Sequence, residues 1–262
     1  LQADLGQHDE AEALIRRLRR EGPEPLQGAG HLLLGQVAVT REEPWAEEIL
    51  DEALTLGVDD EGRAMAALLH GERALRRERL PEASQWLARA DEAVKRLALA
   101  PWRGRLALVR GDLERAAGDV TAARTAYEAG LGELDRQDEP ETRFRLHLRL
   151  ADLALDAGQA ERAYHHARTA VEGFARHELP VREGWALLRL ARVVERPDEL
   201  LGAARRRFED ADLAAGVAAV DAVAGQPGRS LDWHLHRATA QARARYDARR
   251  RRPPWERPDA ER

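Results

Sequence analysis

Four alanines, Ala83, Ala123, Ala163 and Ala203, stand forty residues apart. Three other columns keep the same step: Leu68, Leu108, Leu148 and Leu188; Gly71, Gly111, Ala151 and Ala191; and Leu80, Val120, Ala160 and Leu200. A register shared by four columns over four copies means that one structural unit is stacked repeatedly. A unit of this kind buries its apolar face only against its neighbours, so the repeat dictates the architecture.

The composition says what the unit is made of. Hydrophobic residues are 44% of the 262, but aromatics are only 5%. The apolar material is mostly alanine and leucine, which favours helix over strand. Around residues 140–179, Phe144, Leu148, Ala151 and Leu155 share one helical face. Gly158 then reads as a C-cap glycine, and Ala163, Ala167, Ala170 and Phe174 form the inner face of a second helix. Gly118 makes the same turn in the preceding unit, while Pro81 and Pro197 read as first-turn prolines of second helices. Pro101, Pro140 and Pro180 punctuate the junctions between units.

The small residues have a packing purpose. Gly71, Gly111, Ala151 and Ala191 are expected where the two helices of a hairpin approach, faced by Ala83, Ala123, Ala163 and Ala203. Larger side chains would push the axes beyond the usual ~8–10 Å.

This small–small pattern resembles the tetratricopeptide repeat (TPR) family, with Gly or Ala in the first helix and Ala twelve positions later. The segments from Gly118 to Ala123, Gly158 to Ala163 and Gly6 to Ala11 look like the family's turn motif, and Pro23 falls where that family often ends its second helix. The usual repeat is 34 residues, so the forty-residue step is similar to the long units of kinesin light chains and of the sensor arms of large ATP-dependent bacterial transcription activators. The resemblance implies an all-α, right-handed superhelical solenoid of stacked antiparallel helix hairpins. Its expected divisions are a truncated repeat at 1–23 and a degenerate one at 24–59, matched best by Ala46 and Ala53. Four repeats then fill 60–219. A capping helix region at 220–248 includes a helix from Leu231 to about Ala248 with Ser230 as N-cap. A disordered charged tail covers 249–262.

Chemistry leaves few marks. The chain has no cysteine, which excludes disulfides and thiolate chemistry. Gly228-Arg229-Ser230 looks like the end of a phosphate-binding loop but lacks its lysine and the preceding strand. His165-His166 and the pair His234 and His236 do not share a helical face, so no metal is expected. No nucleophile motif is present, and the chain is read as a non-enzyme without cofactor. Arg249–Arg252 beside Trp255 reads as a solvated basic run.

The resemblance places a binding groove on the first helices. Its positions here are Met65, Leu68 and Glu72, then Arg105, Leu108, Asp112 and Arg115, then Arg145, Leu148 and Asp152. The carboxylates Glu72, Asp112 and Asp152 and the arginines Arg105 and Arg145 recur at the repeat step. One account is pairing along each helix, such as Glu72 with Arg76; the other is a mixed-charge groove for a peptide. The lysine–asparagine carboxylate clamp of chaperone adaptors cannot be built, because the chain has no asparagine and one lysine, Lys95.

The expected function is a non-catalytic scaffold that binds a protein or peptide segment in its concave groove. The alternative is a regulatory arm of a larger bacterial signalling protein or transcription activator. Leu1 reads as mid-helix, so an upstream domain is expected in a longer protein. With a net charge of −5 and no long apolar run, neither nucleic acid nor membrane is an expected partner, and the expected location is cytoplasmic.

Overall fold

The computed structural model describes residue 17 and residues 24–40, 43–134 and 140–225. The described part is all-α. Its helices are α1 (Glu24–Thr40), α2 (Ala46–Thr55), α3 (Asp60–Arg76), α4 (Leu80–Arg96), α5 (Ala100–Ala116), α6 (Val120–Leu134), α7 (Pro140–Asp156), α8 (Ala160–Arg176), α9 (Pro180–Ala191), α10 (Asp198–Asp210) and α11 (Ala214–Gly225). No strand occurs among the described residues. The helices fall into two compact units, α1–α6 and α7–α11, and each is a stack of antiparallel hairpins. The expected repeat at 1–23, the helix Leu231–Ala248 and the tail lie outside the described residues. So do the segments at Gly6 and Gly228, the pair His234 and His236, and Arg249–Arg252.

First helices begin at 60, 100, 140 and 180, in step with the sequence register. Pro101, Pro140 and Pro180 sit in their first turns, where a missing N–H breaks no helical bond. Asp59 caps α3 by accepting from Gly62 N at 2.7 Å.

A finer period runs through the turns. Glu78, Ala98, Gly118, Gly158 and Glu178 all have positive φ, between 52° and 88°. Each closes the preceding helix with the same two bonds. At the first, Arg79 N donates to Ala74 O at 2.9 Å and Glu78 N to Leu75 O at 2.9 Å. At the last, Leu179 N donates to Phe174 O and Glu178 N to Ala175 O. This double closure satisfies carbonyls that the helix end would otherwise leave bare. Glycine adopts the left-handed region freely, but Ala98 and Glu178 carry a Cβ there, at about 1–2 kcal/mol per residue. Ala98→Gly should therefore raise stability by about 1 kcal/mol, seen as a higher urea midpoint with an unchanged slope.

Inside the hairpins the small-residue columns are buried in three repeats, but the side chain nearest Gly71 and Gly111 is the one sixteen positions on and not the expected alanine twelve positions on. Ala83, Ala123 and Ala163 are fully buried. A Cβ on Gly71 would meet Leu87 Cδ2 at 2.9 Å, and one on Gly111 would clash with the Tyr127 ring, 2.2 Å from Cε1. Size is traded across the gap. Gly104 lies against Leu134, while forty residues on the large partner is Phe144 and the glycine is Gly173.

The fourth repeat departs from the register. Ala203 is only half-buried, and Ala204 occupies the inner position with Phe208. The cause is local. The helix α9 stops at Ala191, whereas its counterparts run to Arg76, Ala116 and Asp156. Residues 192–197 form an irregular turn without glycine, and α10 is capped by Pro197, so its face is rotated by one residue. The fourth sequence column is a boundary marker and not a core column. Val120 and Ala160 open second helices and are exposed, while Leu80 and Leu200 are half-buried. In the 24–59 segment, Ala46 and Ala53 are fully buried with Ile49 and Leu50, and Leu50 packs against Gly35.

Candidate binding surfaces

The ten residues assigned to the groove by sequence fall into two classes. Leu68, Leu108 and Leu148 are buried, as are Glu72 and Asp152. Met65, Arg105, Asp112, Arg115 and Arg145 are half-buried, and none of the ten is exposed.

In the first unit, Leu68 packs in one core with Leu106 and Val109 of the next first helix. Beside this contact, Arg105 Nε donates to Glu72 Oε1 at 3.0 Å, with side chains 15% and 9% exposed. The pair joins α3 to α5, which is an inter-helix bond that pairing along one helix does not supply. Asp112 accepts from the Tyr127 hydroxyl at 2.7 Å, so it braces its own hairpin.

In the second unit, Leu148 packs with Phe144, Phe174, Leu179 and Ala186. Arg189 of α9 grips Asp152 of α7 with both arms of its fork, Nε to Oδ1 at 2.8 Å and Nη2 to Oδ2 at 3.0 Å. Its Nη1 donates to Trp185 O at 3.0 Å. Bidentate geometry of this kind is the strong form of an arginine–carboxylate contact. Much of the recurring charge column thus fastens successive first helices together within each unit.

Sequence reasoning missed Arg189, whose place opposite Asp152 follows a 37-residue offset, not forty. It also missed a second surface. The first hairpin carries an open cleft of about 900 Å³ whose walls include His31, Trp45, Glu48, Asp51 and Glu52. His31 Nε2 lies 3.2 Å from Glu52 Oε2. Glu47, also in the lining, is engaged by Arg79 and lies 3.7 Å from Arg73 Nε. The acids along α2, two adjacent pairs four residues apart, form no motif that would have announced it.

Beside this cleft, the buried His70 ring stacks on Trp86 at 4.4 Å. Burial lowers its pKa below 6.5, outweighing the attraction of Asp51, Glu47 and Glu82. A lowered folded value means that the unfolded chain binds the proton more readily. Stability is then unaffected above about pH 6.5 and falls as pH drops below it. His70→Phe keeps a stacking ring and removes the titration. Urea unfolding at pH 7.5 and 5.5 should show a smaller acid loss in the variant than in the parent.

Among the described residues, no three or more His, Asp or Glu side chains are placed to share a metal ion. No described helix is long and apolar enough to cross a membrane. The clustered His166 pairs not with its neighbour but with His147 across the α7–α8 hairpin, Nδ1 to Nδ1 at 2.9 Å.

No family model matches the chain, and no curated protein matches it. Solved structures do match. A crystal structure of BtubC (BKLC) from P. vanneervenii aligns with a TM-score of 0.54 and 15% identity, covering 85% of this chain and 91% of that one. At this identity the likeness is one of fold alone.

Proposed function

We propose that the chain is a non-catalytic scaffold of TPR-like hairpins, cytoplasmic in location, that binds a protein or peptide segment. The observation that carries this reading is the fastening of successive first helices. In the first unit, Leu68 against Leu106 and Val109, with Glu72 paired to Arg105, fixes α3 and α5 side by side. The same two helices carry half-buried side chains on this fixed frame, among them Met65, which packs against the core of the first hairpin, and Arg115. A surface ordered in advance loses less entropy on binding. The small-residue contacts Gly71–Leu87 and Gly111–Tyr127 support the TPR-like assignment.

Site-specific photo-cross-linking tests the reading. A photoreactive residue at Met65 or Arg115 samples the first helices, and one at Glu92 or Glu128 samples exposed positions of the second helices. Cross-links to the same partner peptide from Met65 and Arg115, and none from Glu92 and Glu128, are expected. Cross-links only from the second helices would overturn the first-helix surface, and none from any site would overturn the scaffold reading.

A further inference from the structure

We propose that the cleft of the first hairpin holds a segment of a partner protein that carries arginine or lysine side chains. This rests on the scaffold reading and adds the chemistry of the partner.

Among the described residues no lysine or arginine lines the cleft, whereas Glu47, Glu48, Asp51 and Glu52 do. Glu47 is compensated by Arg79 and Arg73. Glu48 and Asp51 are exposed, and the Asp51 side chain is 68% accessible. The described lining therefore carries a negative surplus, which attracts cations and repels carboxylate- or phosphate-bearing segments.

A buried imidazole stands behind one of these acids. His70 is 6% exposed, and its Nε2 is buried without a hydrogen-bond partner. That nitrogen lies 3.4 Å from Asp51 Oδ1, in the cleft wall. Because burial holds the ring neutral, His70 does not discharge Asp51. A guanidinium or ammonium entering from solvent would bring Asp51 the charged donor that His70 withholds.

A volume of about 900 Å³ is ample for one or two long side chains. Pro44, Trp45 and Leu56 supply apolar wall, and Leu56 is one of three exposed large hydrophobics among the described residues. Arginine and lysine suit such a site, since their stems lie on apolar surface while their heads meet carboxylates.

The test is calorimetry on the full chain with an amidated hexapeptide alternating arginine and leucine, and with the same peptide carrying glutamate for arginine. The arginine peptide should bind, more weakly as salt is added, and the glutamate peptide should not. Glu48→Gln with Asp51→Asn should weaken binding at least tenfold. Glu161→Gln with Glu172→Gln, exposed carboxylates on α8, should leave it unchanged. Circular dichroism checks that both variants stay helical. An equal loss in both variants would assign the effect to general charge, and no loss in the cleft variant, or no binding by the parent, would overturn the proposal. The cross-linking result stands apart from this, so the cleft can fail while the scaffold reading survives.

Discussion

Arg189→Ala should destabilise the protein by about 3–5 kcal/mol, the largest effect expected of any single change. Both partners of the Arg189–Asp152 pair are 4% exposed. Removing the guanidinium leaves the Asp152 carboxylate buried, with Arg149 the next cation at 4.0 Å among the described residues. The loss is the desolvation of that stranded charge more than the strength of the bond. It follows that replacing both partners by apolar groups, Asp152→Leu with Arg189→Met, should lose far less than the single change. Urea unfolding of the parent, both single variants and the double variant measures the coupling directly. A single-variant loss below about 1 kcal/mol, the range of solvent-exposed pairs, would show that water reaches Asp152.

Gly111→Ala should be the second most damaging change, at about 1–3 kcal/mol through overpacking. The new methyl would lie 2.2 Å from Cε1 of the Tyr127 ring, which is fully buried and tied at its hydroxyl to Asp112. A ring held at both ends cannot swing aside. Gly71→Ala is the control forty residues earlier. There the obstacle is the far end of Leu87, a flexible side chain, at 2.9 Å. The ~1 kcal/mol of helix propensity gained over glycine should roughly offset that adjustment. Thermal melts of the two variants should differ in midpoint, with Gly111→Ala lower. Equal midpoints would mean that Tyr127 relaxes.

These two cases show what was legible in the sequence. The forty-residue step, the helical class and the positions of closest approach could all be read, because they depend on residue size and on turn chemistry that recur with the unit. The partner of each small residue could not. Gly111 faces a tyrosine and Gly71 a leucine, and the choice is made across the hairpin, not along it. The slip from Ala203 to Ala204 was also hidden. Its cause is the early end of α9, and nothing at Ala203 itself records it. The groove residues were found as a column but not as a seam, since Glu72 meets Arg105 at an offset of 33 and Asp152 meets Arg189 at 37. The cleft could not be seen at all. Its acids look like any solvated helix face until His70 and Trp45 are placed beside them.

The account rests on hairpins repeated every forty residues and closed by a turn every twenty. Amide hydrogen exchange, read residue by residue, tests this most directly. Protection should be high through 63–79, 83–99, 104–119, 144–159 and 163–179, with minima where the next helix opens and its amides lack an intrahelical acceptor, near 80–82, 100–101, 121, 160–162 and 181–182. Minima that ignore the twenty-residue period, or protection continuing unbroken through those helix starts, would contradict it.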